Sequence, residues 1–184
     1  MTIGLSVALT SYADTADKNN GTSMNETNPF FTKYETPFGV PPFDKIGIEH
    51  YKPGLLKGME EHKKEIDAIV NNSATPDFEN TIAALDQSGR LLRDVRIVFS
   101  GQNSANTSDK MQELNREMSP IMSKHSDDIN LNKGLFEKVK YVFENQRDYN
   151  LNKEQKKLLN ETYKGFVRSG ANLQIGRASC RERV

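Results

Sequence analysis

The chain has 184 residues, a length that suits one modest domain or two small ones. Lysine plus arginine and aspartate plus glutamate both number 25, so charge gives no reason to expect nucleic acid or an anionic membrane as a partner. A single cysteine, Cys180, excludes an internal disulfide, and no run approaches the roughly 18–20 apolar residues of a transmembrane helix.

Residues 1–27 combine a short apolar run, from Ile3 to Leu9, with a polar stretch that cannot bury a core. The run is as long as the apolar part of a short export signal, although it lacks a basic flank. It ends in a sequence that resembles a lipoprotein signal, with Tyr12 where cysteine is expected. We expect a degraded export signal followed by a disordered linker, and a periplasmic or cell-envelope location. A plain disordered tail and a cytoplasmic location are the alternatives.

Residues 28–45 are rich in proline and phenylalanine. Proline fixes φ and disfavours helix at the residue before it, so this segment is predicted to be an extended arm. Aromatic rings gain free energy from burial, which predicts that the arm lies on the rest of the fold. The rings expected to be mostly buried are Phe30, Phe31, Phe38 and Phe43.

From Gly47 to Ala171 the apolar residues recur at intervals of three and four, which predicts an all-α fold of about five helices. The first helix is predicted over residues 49–70. The second is predicted to start with Thr75 as N-cap and Pro76 in the first turn, and to continue past Gly89. Gly89 in a helix interior is expected to allow another helix to pack closely.

Three further helices complete the predicted array. The third follows Ser108 and carries Pro120, which should kink or divide it. The fourth follows Asn132 as N-cap. The fifth follows Asn152, with Gln155 spaced for a capping box.

The three histidines are the first candidates for metal or acid–base chemistry, but no two stand four residues apart, so the sequence has no HExxH zinc motif. His62 falls on an apolar helix face and is interpreted as a hydrogen-bonded core histidine. His125, close to Asp127 and Asp128, is expected to be partly charged, with an ordinary surface residue as the alternative. His50 stands at a helix start and is interpreted as structural. No residue is therefore assigned a catalytic or metal-binding role, and substrate-binding residues are unknown.

Five segments, in order and spacing, resemble the start of the peptidyl-dipeptidases and their relatives oligopeptidase A and thimet oligopeptidase. They read NPFF at 28–31, PFGVPPF at 37–43, HYKP at 50–53, PDFENTI at 76–82 and FVRSGANL at 166–173. The resemblance covers residues 28–173.

The resemblance implies a helical, two-lobed zinc metallopeptidase that removes dipeptides from the C-terminal end of short peptides. Its zinc is held by an HExxH helix and a later glutamate, and the HExxH glutamate activates the attacking water. Residues 28–173 are then an N-terminal helical lobe that lacks the C-terminal catalytic region. Zinc is expected in the full-length parent, and this chain is expected to bind none and to be inactive. A stand-alone, non-enzymatic binding or scaffold domain is the alternative.

An incomplete lobe should leave apolar surface open on its last two helices. The side chains expected to be exposed there are Phe143, Leu158, Tyr163 and Phe166.

Residues 174–184 do not resemble the family. Their codons can be written so that they match a common sequencing adapter, and we expect this segment, with Cys180, to be an artefact. A divergent natural carboxyl end is the alternative.

Overall fold

The computed structural model describes residues 28–172. Over this range it contains helices and no strand, and five helices have at least 12 residues, which confirms the all-α prediction. The helices are α1 (Ile48–Asn71), α2 (Ala84–Gln87), α3 (Arg90–Ala105), α4 (Asp109–Asn130), α5 (Lys133–Glu144) and α6 (Lys153–Arg168). The predicted export signal and the predicted adapter segment lie outside the described residues.

The helix starts follow the predicted caps except at the second helix. Side-chain oxygens of Ser108, Asn132 and Asn152 accept from backbone N–H groups in the first turns of α4, α5 and α6. Gln155 completes the predicted capping box of α6. Pro120 does not divide α4, which is continuous across it.

The second predicted helix differs from the structure at its start and at Gly89. Its N-cap is Asp77, whose carboxylate accepts from the Asn80 N–H at 2.7 Å, and the first turn, Phe78–Ala83, is π-helical. Thr75 and Pro76 therefore precede the helix. Gly89 is not inside a helix either, because it has φ +67° and separates α2 from α3. The apolar spacing continued across the break, which is why the sequence predicted a single helix.

Two hydrophobic clusters share helix α1. The arm-side cluster joins the amino-terminal part of α1 to α3 and α4 and consists of Phe30, Tyr51, Leu55, Met59, Leu92, Val95, Val98, Phe99, Met111, Leu114 and Met118. The carboxyl-side cluster joins the rest of α1 to the π-helical turn, α5 and α6. It consists of Ile66, Ile69, Phe78, Ile82, Leu135, Phe136, Val139, Val142, Leu151, Leu159, Phe166 and Ala171.

The arm is fastened at its first residues. Asn28 is fully buried, accepts from the Phe30 N–H and donates to the His50 carbonyl at 2.9 Å. The Phe30 ring packs on Tyr51, and the Lys57 ammonium lies 4.0 Å from the centre of the Phe31 ring. The expectation of burial is met for Phe30 and partly for Phe31.

The rest of the arm contradicts that expectation. Phe38 is fully exposed and Phe43 is 49% exposed. Phe38 (φ 60°) and Gly39 (φ 67°) both adopt the left-handed conformation, and the Val40 N–H donates to the Pro37 carbonyl at 3.4 Å. This is the backbone of a type I′ turn, which points the ring away from the helices. A non-glycine residue in this conformation costs roughly 1–2 kcal/mol.

The prediction of an open apolar surface on the last two helices is wrong. Phe166 is 5% exposed, and the other three side chains are partly buried against the carboxyl-side cluster. The rings of Phe143 and Tyr163 stack with centroids 4.0 Å apart. These two helices cover each other because α5 and α6 both turn their apolar stripes inward.

Candidate functional site: a histidine pair beside a helix break

The break between α2 and α3 brings polar groups from three helices together. The Gly89 N–H donates to the Glu65 carboxylate of α1 at 2.7 Å. A Cβ atom on Gly89 would lie 2.9 Å from the His62 ring, closer than packed atoms approach. Glycine is therefore required here for two reasons: the left-handed φ and the close approach of the imidazole ring.

His62 of α1 and His125 of α4 form the centre of the site, although 63 residues separate them. The His125 Nε2 and the His62 Nδ1 are 3.1 Å apart, and the rings meet edge to face. The other ring nitrogen of His62, Nε2, lies 3.2 Å from the Ser88 hydroxyl. His62 also lies between Met59 and Ile66 along α1, and so between the two hydrophobic clusters.

The partners of Ser88 determine where the protons lie. Its hydroxyl donates to the Leu85 carbonyl at 2.7 Å, so towards His62 its oxygen is an acceptor. His62 Nε2 then carries a proton and donates to Ser88, while His62 Nδ1 accepts from His125 Nε2. In this arrangement the hydrogen bonds run in one direction, from His125 through His62 and Ser88 to Leu85, and His62 is neutral.

Burial favours the same neutral state. Burial lowers the pKa of His62, the neighbouring His125 lowers it further, and Glu65 opposes the shift. Burial also lowers the pKa of His125. The negative charge of Asp128 opposes this shift, and the positive charge of Lys63 adds to it. The direction of the His125 shift opposes the expectation that this residue is partly charged. His62 is hydrogen-bonded, as interpreted, but it is partly buried and lies outside both hydrophobic clusters.

An open cleft of about 570 Å³ adjoins the His62 side of this site. Beyond Ser88 and Gly89 it is lined by Arg93, Arg96 and Ile97 of α3, all exposed. Two guanidinium groups beside an apolar side chain favour a ligand that carries both a carboxylate and an apolar part. Ser88 is not activated as a nucleophile, because His62 donates to its oxygen and does not accept its proton.

The described residues do not supply a catalytic zinc site. Between residues 28 and 172, no three histidine, cysteine, aspartate or glutamate side chains converge on one point. His62 and His125 provide two ring nitrogens, whereas catalytic zinc takes three protein ligands. His50 stands in the first turn of α1, where its Nδ1 accepts from the Gly47 N–H at 2.9 Å, in agreement with a structural role.

Sequence reasoning identified these histidines singly but missed their pairing. The positions of His62 and His125 on separate helices contain no signal that α1 and α4 cross at that level. The polar dipeptide Ser88-Gly89 inside an apolar helical pattern was the available indication of a special backbone site. Within the described part of the chain, no helix is both long enough and apolar enough to cross a membrane.

Comparison with known proteins confirms the resemblance predicted from the motifs. The chain is 39% identical to the dipeptidyl carboxypeptidase of Salmonella typhimurium over 80% of its own length, and 38% identical to that of Escherichia coli over 82%. It is 27% identical to the oligopeptidase A of Escherichia coli over 80% of its length. No family model matches the chain.

The matched regions are 22% of the two carboxypeptidases and 21% of the oligopeptidase. The chain thus spans about a fifth of the length of the curated relatives that it matches. Over that fifth, the chain is similar to the dipeptidyl carboxypeptidases and, at lower identity, to oligopeptidase A.

Proposed function

We propose that the chain is the N-terminal helical part of a zinc-dependent peptidyl-dipeptidase that releases dipeptides from the C-terminal end of short peptides. The observation that supports the proposal is the 38–39% identity to two dipeptidyl carboxypeptidases over about four fifths of the chain. Oligopeptidase A is less similar, at 27%, so the dipeptide-releasing type is favoured. The zinc ion, the HExxH helix and the attacking water belong to a later catalytic region.

In this proposal the chain contributes no catalytic group of its own. Its sequence lacks two histidines in HExxH spacing, and the two histidines brought together in the structure contact each other through ring nitrogens 3.1 Å apart. The chain instead contributes a rigid wall of two packed clusters beside the peptide-binding channel. On its own it neither binds catalytic zinc nor cleaves peptides.

The compartment in the proposal is the periplasm or the cell envelope. The support is the apolar run from Ile3 to Leu9 and the signal-like sequence that ends at Tyr12. The cytoplasm is the alternative. Fractionation of cells that express the chain from residue 1 separates the two, because export would place it in the periplasmic fraction.

The enzymatic proposal is tested with a hybrid protein. Residues 28–172 replace the matched segment of the Escherichia coli dipeptidyl carboxypeptidase, and dipeptide release is measured on a tetrapeptide with a blocked amino end. We expect chelator-sensitive activity from the hybrid and none from the isolated chain, with or without zinc. Dipeptide release by the isolated chain, or a folded hybrid without activity, would contradict the proposal.

A stand-alone binding or scaffold domain is the second candidate, and one observation favours it. The apolar faces of α5 and α6 are closed within the described residues, as the Phe143–Tyr163 stack and the full burial of Phe136 show. A fold that closes its own core does not need a catalytic region for stability. A cooperative unfolding transition of the isolated chain, combined with an inactive folded hybrid, would favour this candidate.

A further inference from the structure

The exposed end of the arm, the turn formed by residues 37–43, is an apolar feature of the described surface. It reads PFGVPPF and contains no charged residue. Phe38 is fully exposed, and Val40 and Phe43 are each exposed by nearly half. Three of the eight large apolar side chains that are exposed in the described residues lie in this one turn. Exposed apolar side chains that cluster in this way usually mark an interaction site.

The backbone keeps this turn away from the helices. Its base is fixed by the buried Asn28 and Phe30, and its tip is a type I′ turn closed by the Val40 N–H donating to the Pro37 carbonyl. Thr36 also donates its hydroxyl proton to the Val40 carbonyl. Pro37, Pro41 and Pro42 restrict the flanking backbone. The ring of Phe38 is thus presented outward in a defined position, and presentation of a preordered side chain lowers the entropic cost of binding.

The turn belongs to the region shared with the carboxypeptidases. The alignment with the Escherichia coli protein covers 150 of the 184 residues, so a continuous alignment includes residues 35–150 wherever it begins. The matched region is 22% of that protein, which leaves more than three quarters of it outside this fold. The apolar faces of α5 and α6, which could have received the turn, are occupied by each other.

We propose that the turn at residues 37–43 is a docking element that inserts Phe38 and Phe43 into an uncharged, apolar pocket on the catalytic region that follows this part of the chain in the carboxypeptidases. The proposal rests on the proposed function, because it takes the catalytic region as the partner. The chemistry of the turn requires a dry apolar pocket, since the turn offers aromatic and proline surface and no ionic group. Docking there fastens the two parts of the enzyme together without using the histidine pair.

Substitution of Phe38 by asparagine gives a test in which local and docking effects have opposite signs. Asparagine tolerates the left-handed conformation better than phenylalanine does, so Phe38→Asn should leave the Tm of the isolated chain unchanged or raise it. In the hybrid with the Escherichia coli carboxypeptidase, loss of the ring should lower the Tm by a few degrees. Tyr141→Ala is the matched control, because Tyr141 is an exposed aromatic on α5, away from the turn. It should have the same small effect in both proteins.

Hydroxyl-radical labelling gives a second measurement that does not depend on the hybrid. Phe38 and Phe43 should be labelled rapidly in the isolated chain. The aligned turn of the intact Escherichia coli dipeptidyl carboxypeptidase should be labelled several-fold more slowly. Equal labelling in the two proteins, or equal effects of Phe38→Asn in the chain and the hybrid, would overturn the proposal.

The outcomes also separate this proposal from the proposed function. An active hybrid that is insensitive to Phe38→Asn refutes docking and leaves the function in place. A folded, inactive hybrid in which Phe38 is protected refutes the function and supports docking. Concentration-dependent dimers of the isolated chain that Phe38→Asn abolishes would assign the turn to a second copy of the chain, and so refute the catalytic region as its partner.

Discussion

The two hydrophobic clusters on α1 are of similar size but different composition. The arm-side cluster contains Met59, Met111 and Met118, whereas the carboxyl-side cluster has no methionine among its buried residues. The carboxyl-side cluster instead contains Phe136, which is fully buried and whose ring stacks with the ring of Tyr163. Methionine is flexible and adapts to irregular space, while aromatic and β-branched side chains have few rotamers. We therefore expect the carboxyl-side cluster to tolerate substitution less well.

The largest expected effect is from Phe136→Ala. Removal of a fully buried aromatic ring leaves a cavity, so the free energy of unfolding should fall by about 3–5 kcal/mol. Met118→Leu, at an equally buried site of the arm-side cluster, should cost less than about 1.5 kcal/mol. Urea unfolding followed by circular dichroism measures both. A larger loss at Met118 would contradict the difference between the clusters.

A smaller effect is expected from Gly58→Ala, which tests the contact between α1 and α3. The added Cβ would lie 2.7 Å from the Leu92 Cα, a backbone atom that cannot move without shifting α3. We expect a loss of about 1–3 kcal/mol from this overpacking. Gly101→Ala is the control, because a Cβ there meets nothing within 4 Å and Ala favours helix by about 1 kcal/mol. Equal effects at the two glycines would exclude close packing as the cause.

Asn152→Ala should remove the N-cap of α6 and cost about 1 kcal/mol. Because α6 contacts the carboxyl-side cluster and not the arm-side cluster, amide exchange should accelerate in α5 and α6 more than in α3 and α4. Asn152→Asp keeps an oxygen acceptor and should have little effect. Uniform acceleration across all helices would show that the two clusters open as one unit.

The smallest expected effect is an acid destabilisation at the boundary between the clusters. The pKa values of His62 and His125 are both lowered, so the unfolded chain takes up protons first as the pH falls below about 6.5. The stabilisation that this histidine pair contributes is fully present above that pH and is lost as the pH falls below it. Glu65 and Asp128 attract the protons, whereas Lys63 repels them, and the partial burial of both rings keeps the effect small.

The measurement is urea unfolding between pH 7.5 and pH 5. The double variant His62→Gln and His125→Gln should show a weaker dependence on pH than the parent chain does. An identical pH dependence in the two proteins would show that other groups carry the effect.

Most of the fold could be predicted because helices are encoded locally. Two signals of helix formation can be read from the local sequence. They are the cap residues, Ser108, Asn132 and Asn152, and the three-to-four spacing of apolar residues. Gly89 was misjudged because a break between two helices of the same apolar phase leaves the spacing intact. The π-helical first turn after Asp77 has no recognised sequence signature.

The candidate site and the exposed turn depend on the tertiary arrangement and were harder to predict. His62 meets His125 only because α1 crosses α4 at that level, which one sequence cannot show. Phe38 was expected to be buried because its hydrophobicity was considered without its backbone. The Pro37-Phe38-Gly39 sequence could have indicated a turn, since glycine readily adopts the left-handed conformation. The faces of α5 and α6 were expected to be open because the spacing of apolar residues does not show which helices cover each other.

The order of the two clusters along the chain has a consequence for synthesis on the ribosome. All buried members of the arm-side cluster lie between Phe30 and Met118, whereas the carboxyl-side cluster requires residues up to Ala171. At 5–20 residues per second, the roughly fifty residues in between take on the order of three to ten seconds. During that interval α1 can already pack on α3 and α4, while its face around Ile66 and Ile69 is not yet covered by α5 and α6. The nascent chain is therefore expected to present that half-covered helix to chaperones before the second cluster closes.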